Sequence, residues 1–247
     1  MAKGSRGGQR GAGGGAIADT TQNATPMGTG YTSFMQMSDD DKADMISKMT
    51  SQDVPAHLAN NDFQKFIYNT QMNDKPQIVD DATLDSMNGT ELFRTVNSVY
   101  DSRNDLGYSA TEIAKQVQTG SVTRVSDNGG SVYGRGIYFA DNYIDSTSLY
   151  GRTKGDVKKT AVMRAKLNSN AKVINYNSAD NGARAEIAKG TKLGKALSKV
   201  DQASQASLYA LAKGYNVISN GRTYLNVLNR NAITMSKDVK AMGRGWK

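Results

Sequence analysis

The order of secondary-structure patterns after residue 90 is the feature that most constrains the fold. Short apolar runs and one glycine-punctuated run are typical of β-strands, and they occur at Glu91–Val96, Ser131–Ala140, Thr160–Leu167, Lys172–Ile174, Asn216–Ser219 and Leu225–Met235. Helical patterns lie between them, at Ala110–Gln118, Asp145–Tyr150, Ala183–Lys199 and Ala203–Lys213. Because strands and helices do not alternate as in a doubly wound sheet, the sequence predicts an α+β domain over residues 90–236, with a split, mainly antiparallel sheet.

Residues 34–89 have a different, helical pattern and are predicted to form a small N-terminal helical subdomain. Ser38 followed by Asp39–Asp41 is a typical helix start, in which the carboxylates complement the helix dipole rather than bind a metal. Pro55 then interrupts the pattern. The apolar residues expected to face a core are Met45, Ile46, Met49, Phe63, Phe66, Ile67, Met72, Leu84 and Met87.

Both ends of the chain are basic and supply part of the formal net charge of +8. Residues 1–33 are rich in Gly, Ala, Thr and Ser, so ordering them would cost backbone entropy with little burial in return. We therefore expect a flexible arm that orders only against a partner. Residues 237–247 are predicted to form a basic C-terminal tail. Such ends predict loose, unspecific contact with nucleic acid rather than sequence-specific binding.

Composition excludes several classes of function. No apolar run approaches the roughly 18 residues of a membrane span, and the N-terminus lacks the apolar stretch of a secretory signal, so neither a membrane partner nor export by that route is expected. The chain has no cysteine, which excludes disulfides, thiolate catalysis and thiolate-bound metals. His57 is the only histidine, so no Ser-His-Asp triad can form, and no metal site is expected.

The most informative motif is YGRGIYFADNYIDSTSLYG, residues 133–151. It resembles the Gly-basic-Gly-Ile-Tyr-Phe-Ala segment of the ADP-ribosyltransferase superfamily, in which a strand tyrosine precedes a helix that carries a small hydroxyl residue and a second tyrosine. The resemblance implies that Tyr138 and Tyr150 stack on the nicotinamide ring of NAD, and it places Gly136 in the NAD site.

The residue that bonds the nicotinamide carboxamide has two candidates. One residue more separates Tyr138 from Tyr150 than in the poly-ADP-ribose polymerase pattern. Counting back from Tyr150 therefore selects Thr147, and counting forward from Tyr138 selects Ser146. Residues 146–148 also resemble the Ser-Thr-Ser element of the arginine-type branch of the superfamily, and we assign the role to Ser146 and Thr147 jointly.

A second element, Leu92–Thr95, lies upstream where the superfamily has a strand that grips the ribose and phosphates of NAD. Arg94 resembles the arginine of the aromatic-Arg signature in the arginine-type branch. A permanently charged, planar guanidinium binds phosphate or ribose oxygens with paired hydrogen bonds. The resemblance therefore assigns Arg94 and Thr95 to NAD binding.

The third element of the superfamily is a glutamate near the start of a late strand, which stabilises the positive charge that develops as nicotinamide leaves. None of the three glutamates, Glu91, Glu112 and Glu186, precedes a late strand. Alignment of YLNVLNRNAI, residues 224–233, places Tyr224 where the glutamate would stand and Asn226 on the same side of the strand. Loss of one such partner costs about 2.7–4 kcal/mol, which predicts slow or absent transfer and argues against polymer synthesis.

The resemblance implies an NAD-dependent mono-ADP-ribosyltransferase, with NAD as substrate and a protein acceptor or host target as partner. The Asn-Arg-Asn-Ala sequence at 229–232 and the glycine-rich arm also resemble transferase-like proteins of bacteriophages, which implies a location in the host cytoplasm or the virion. The alternative is a bacteriophage virion structural protein that keeps the fold with weak or no activity and contacts other virion proteins through its arm. A toxin or anti-defence effector is a third possibility.

Overall fold

The computed structural model describes residues 29–49, 61–70, 72, 74–101, 106–119, 132–150 and 160–241. Within these ranges the chain is mixed α+β, with nine α-helices and ten β-strands. The helices are α1 Thr29–Gln36, α2 Asp39–Ser47, α3 Asp62–Asn69, α4 Asp81–Ser86, α5 Ala110–Thr119, α6 Tyr143–Tyr150, α7 Tyr176–Lys189, α8 Lys192–Leu197 and α9 Gln202–Ala212. The strands are β1 Gln77–Val79, β2 Glu91–Asn97, β3 Val99–Asp101, β4 Leu106–Tyr108, β5 Ile137–Ala140, β6 Thr160–Leu167, β7 Val173–Asn175, β8 Val217–Ser219, β9 Tyr224–Val227 and β10 Ile233–Ala241.

Eight of the strands form one open sheet in the order β1-β10-β6-β2-β5-β9-β8-β7, and β3 pairs with β4 separately. The edge pairs β1–β10 and β7–β8 are parallel. The pairs between them are antiparallel. The predicted α+β class with a mainly antiparallel sheet is therefore confirmed.

An apolar core lies on each face of this sheet. The first core, under α5, contains Leu92, Val96, Phe139 and Met163 from the central strands together with Ala114 and Val117 from α5. The second core joins α1, α2 and α3 to α7, α8 and α9, and its sheet-side residues include Ile218. The predicted N-terminal helices therefore pack into a core that they share with helices from the end of the chain.

Capping residues mark the starts of α2, α3 and α4, and α1 lies earlier in the chain than predicted. Ser38 caps α2 by accepting a 3.1 Å hydrogen bond from the amide of Asp41, which confirms the predicted helix start. The predicted arm, residues 1–33, overlaps α1, which starts at Thr29. Tyr31 and Phe34 of α1 are buried, and burial of two aromatic rings offsets the entropy cost that the composition suggested. The predicted boundary at residue 33 is wrong; residues 1–28 and Pro55 and His57 lie outside the described ranges.

The C-terminal part also differs from the prediction. The strand predicted at Leu225–Met235 is two strands, because Asn229 caps a short 3₁₀-helix at Arg230–Ala232 between β9 and β10. The predicted tail at 237–247 overlaps β10, which continues to Ala241. Residues 239–241 pair with β6, opposite Met163, Val162 and Ala161, so this part of the basic segment is a strand. The pairing with β1 lies earlier in β10, at residues 234–236.

The long helix predicted at Ala183–Lys199 is two helices. Gly190, in the left-handed conformation with φ 65°, ends α7, and Thr191 caps α8. In the described ranges, no helix combines the length and the apolar character needed to cross a membrane.

Candidate functional site

The centre of the sheet contains a weak joint between β2 and β5. On one side β2 pairs with β6 along its whole length, from Glu91 opposite Lys166 to Asn97 opposite Thr160. On the other side β2 and β5 share one registered pair, Phe93 opposite Ala140. The single sheet therefore has its shortest strand pairing between two four-stranded halves, β1-β10-β6-β2 and β5-β9-β8-β7, and several of the residues assigned from the sequence lie around this joint.

Arg94 and Tyr138 meet at the joint. The Nη1 atom of Arg94 donates a 2.7 Å hydrogen bond to the backbone oxygen of Tyr138. Leu92 and Val96, two positions before and after Arg94, belong to the core under α5, and so do Ile137 and Phe139, the direct neighbours of Tyr138. Because side chains alternate along a strand, the Arg94 side chain lies on the face of that core and the Tyr138 ring on the other. Arg94 and Tyr138, both assigned to the NAD site, are therefore in contact through a guanidinium and a backbone oxygen, and not through a guanidinium and a ring.

The hydroxyl of Tyr138 is bonded to the loop that precedes its own strand. It donates to the backbone oxygen of Gly134 at 2.6 Å and accepts from the amide of Tyr133 at 3.0 Å. The side chain is 8% exposed. The orientation of the ring is thus set by the loop at residues 133–136.

Thr95 and Ser146 form a buried pair of hydroxyls between β2 and α6. Their oxygen atoms are 2.9 Å apart, and their side chains are 3% and 0% exposed. Phe93 adds an edge-to-face contact with Tyr143 of α6, with 6.0 Å between ring centroids. The two assigned segments are therefore brought together by a polar and an aromatic contact on the same face of β2.

The other candidates on α6 are placed differently. Thr147 donates its hydroxyl to backbone oxygens of its own helix, at 2.9 Å from Tyr143 and 3.1 Å from Ile144. Of the two hydroxyl candidates, Ser146 is the one that reaches β2. Tyr150 ends α6, but its side chain lies outside the described part of the structure.

Asn226 is buried, with 1% exposure, and its amide is directed at the loop before β5. Its Nδ2 donates to the backbone oxygens of Tyr133 and Arg135, both at 3.1 Å. Its Oδ1 lies against Gly136, which has φ 153°, a conformation that disfavours other residues, and where an added Cβ would collide with that oxygen. Gly136 and Asn226 are thus in contact, as structural neighbours at the joint.

Tyr224 is the first residue of β9 and is paired with Ala140 of β5. By alternation it shares its face with Asn226 and Tyr138. It is half-buried. The position that the sequence assigned to the missing glutamate is therefore beside the joint, on the face of the Tyr138 ring.

The three glutamates are engaged elsewhere. Glu91 forms an ion pair with Arg164 on β6. Glu112 accepts a 2.7 Å hydrogen bond from the amide of Ser109 at the start of α5, and this bond holds the pKa of its carboxyl below the usual value. A hydrogen bond from Thr191, with support from Lys213, does the same for the pKa of Glu186. Among the described side chains, none of these carboxylates bonds a residue assigned to the site.

A second support of the same loop comes from α9 and was not predicted from the sequence. Ser207 accepts a hydrogen bond from the Arg135 amide and donates one to the Arg135 oxygen, both at 2.7 Å. The Nε of Arg135 lies 3.5 Å from Asp201, which caps α9. Burial raises the pKa of Asp201, but hydrogen bonds from Ser204 and the charge of Arg135 outweigh it, so the net pKa is lowered. Ser207 looks like an ordinary helix residue and Asp201 like an ordinary helix cap, so neither indicates a contact with this loop.

Two cavities found in the described part lie away from the joint. A small one is lined by Phe63, Gln64, Ile67, Met72, Ile137, Leu228 and Arg230, and burial lowers the pKa of Arg230 to about 10. A wider groove is lined by Met37, Asp41, Asp44, Met45, Lys48, Met49, Asn69 and Thr70. Among the described residues, no three acidic or histidine side chains cluster as metal ligands would. Neither cavity contains a residue assigned to NAD.

Comparison with known proteins gave no match to a family model, to a curated protein or to a solved structure.

Proposed function

We propose that the chain is an NAD-dependent mono-ADP-ribosyltransferase with a fold of the ADP-ribosyltransferase type, encoded by a bacteriophage. The observation that carries the proposal is the pair of contacts at the joint, Arg94 with the Tyr138 backbone and Thr95 with Ser146. These four residues come from the two segments whose sequences resemble the NAD-binding segments of the superfamily. These residues are far apart along the chain and are neighbours at the joint, with the Arg94 side chain on one face of the sheet and the Tyr138 ring on the other.

The reaction would break the bond between the ribose C1′ of NAD and the nicotinamide nitrogen. A nucleophile on a protein acceptor would form the new bond to C1′, nicotinamide would leave, and the nucleophile would lose its proton to solvent. Arg94 suits the phosphate or ribose oxygens because its guanidinium is planar and permanently charged. The hydroxyls of Thr95 and Ser146, which bond each other at 2.9 Å, suit the carboxamide, and the Tyr138 ring suits the face of nicotinamide.

The rate is expected to be low. Tyr224 and Asn226 supply no negative charge to the ribose as it becomes positive, and the described glutamates are engaged by Arg164, Ser109 and Thr191. Loss of one aligned electrostatic partner lowers a rate about a hundredfold to a thousandfold. Single transfer to an acceptor, or slow transfer to water, therefore fits the residues better than synthesis of a polymer.

Release of nicotinamide tests the proposal without knowledge of the acceptor. Purified protein is incubated with NAD, alone and with bacterial lysate, and nicotinamide and labelled ADP-ribose on protein are measured. The Arg94→Ala variant is compared with Arg184→Ala, which removes an exposed arginine that pairs with Asp180 on α7. We expect release and labelling that Arg94→Ala abolishes and Arg184→Ala leaves unchanged. Equal activity in the two variants, or none in the unmodified protein, would contradict the proposal.

The second candidate function is a virion structural protein that keeps the fold. It is favoured by the burial of the joint, which leaves little surface open to a ligand. Thr95, Ser146 and Tyr138 are 3%, 0% and 8% exposed and bond each other or the backbone. Such a protein would be present in many copies in purified phage particles and would release no nicotinamide from NAD. Detection of the chain in particles, together with a negative NAD assay, would favour this candidate over the enzyme.

A further inference from the structure

We infer that Asn226 is a positioning residue that fixes the loop before β5, and not a substitute for the missing carboxylate. The inference deepens the proposed function and rests on it, because its kinetic test uses the same NAD site. Its structural test does not depend on NAD.

The Nδ2 group of Asn226 bonds the loop with both of its hydrogens. Both hydrogens of Nδ2 are directed at backbone oxygens, those of Tyr133 and Arg135, each at 3.1 Å. These two carbonyls are alternate residues of one turn, so a single side chain from β9 holds the turn at two points. Two bonds of this kind from a fully buried side chain cannot be replaced by water without opening the sheet at this point.

The remaining atom of the amide is also enclosed. Oδ1 is buried, and no hydrogen-bond partner for it is present among the described residues. It faces the Cα of Gly136, whose lack of a side chain is what permits this contact. An oxygen that bonded a ribose hydroxyl would have to face open space, whereas this one faces the backbone of the loop.

The loop transmits this constraint to Tyr138. The Tyr133 amide and the Gly134 oxygen both bond the Tyr138 hydroxyl, at 3.0 and 2.6 Å. Ser207 of α9 also bonds the amide and the oxygen of Arg135. Asn226 and Ser207 thus both bond the turn and share the Arg135 oxygen as acceptor, and the turn sets the direction of the ring assigned to nicotinamide.

Replacement of Asn226 by aspartate separates the two interpretations because they predict opposite effects. A carboxylate cannot donate, and in this place it would face two carbonyl oxygens, so the loop would loosen at neutral pH. Burial without a donor would raise the pKa of the introduced carboxyl, and its protonated form could restore one of the two bonds as pH falls. A residue standing in for the family glutamate would instead gain the negative charge that the reaction lacks.

The kinetic experiment compares the wild type, Asn226→Asp and Asn177→Asp by nicotinamide release from NAD. Asn177 is exposed at the start of α7, so its variant has the same charge change away from the loop. We expect Asn226→Asp to raise KM for NAD about tenfold or more, the equivalent of one or two lost buried bonds, with a smaller change in kcat. KM should recover on acidification in this variant only. A rise in kcat at neutral pH, or an unchanged KM, would overturn the inference.

The structural experiment measures hydrogen exchange of the Tyr133 and Arg135 amides in the same three proteins. Faster exchange in Asn226→Asp alone is expected, and equal exchange in all three would overturn the inference whatever the activity. If Asn226→Asp does not fold, Ser207→Ala loosens the same turn from α9 and should accelerate the same amides and raise KM. Absence of nicotinamide release from the wild type would contradict the proposed function and leave the exchange result to decide the role of Asn226.

Discussion

The guanidinium of Arg94 donates a 2.7 Å hydrogen bond to the backbone oxygen of Tyr138, across the joint where β2 and β5 share one registered pair. The charged group therefore holds two half-sheets together at the place where the strand ladder is shortest. Any ligand that takes over the guanidinium must replace this bond, so ligand binding and the integrity of the joint are coupled at Arg94.

Arg94→Ala should lower the free energy of unfolding by about 1–3 kcal/mol, because a carbonyl oxygen at the joint loses a charged donor. Chemical denaturation of the wild type and the variant measures this directly. The exposed Arg184→Ala variant should differ from the wild type by less than about 0.5 kcal/mol. Equal effects of the two substitutions would show that the bond across the joint contributes nothing to stability.

The hydroxyls of Thr95 and Ser146 should be energetically coupled. Thr95→Val or Ser146→Ala alone leaves one buried hydroxyl without its partner and should cost about 1–3 kcal/mol, whereas the double variant should cost less than the sum of the two. A double-mutant cycle from denaturation curves gives the coupling energy. Strictly additive costs would mean that the 2.9 Å contact is not a stabilising hydrogen bond.

Gly136→Ala should be more damaging than Gly190→Ala. Both glycines have positive φ, but a Cβ at Gly136 would collide with Asn226, while one at Gly190 meets no atom within 4 Å. Left-handed strain alone costs about 1–2 kcal/mol, so Gly190→Ala should lose that much and Gly136→Ala clearly more. Thermal unfolding of the pair is the measurement, and a smaller loss for Gly136→Ala would refute the packing of Asn226 on the loop.

Asp201 should contribute to acid sensitivity. Its folded-state pKa is lowered below 3.8, although burial acts against this, because hydrogen bonds from Ser204 and the charge of Arg135 favour the carboxylate. The stabilisation is therefore present above about pH 4 and is lost as pH falls through the lowered folded pKa. Asn is also a good helix cap, so Asp201→Asn should keep α9 capped and flatten the loss of stability on acidification. Identical pH–stability profiles for the two proteins would be inconsistent with this role.

Much of the fold could be predicted where local pattern and tertiary packing agree. The strand predicted at Thr160–Leu167 has those bounds, since its apolar residues contact the core under α5. The prediction is wrong where distant contacts decide. Helix α1 depends on Tyr31 and Phe34 packing on helices from both ends of the chain, and β10 continues through a basic segment because β6 pairs with it.

The resemblance selected candidate residues but did not predict how they contact one another. The sequence selected Arg94, Thr95, Tyr138 and Ser146, and the structure brings these residues to one joint. The sequence did not indicate that Arg94 bonds the backbone of Tyr138, since the face on which each strand residue lies depends on the strand register. The loop-fixing contacts of Asn226 and Ser207 join residues 93 and 72 positions away, for which no local pattern exists.

A crystal structure of the protein soaked with NAD tests the central claim most directly. The account predicts the nicotinamide ring against Tyr138, its carboxamide bonded to Ser146 in exchange for the Thr95 contact, and phosphate or ribose oxygens on Arg94. NAD bound away from the joint between β2 and β5, or no bound NAD at saturating concentration, would contradict it.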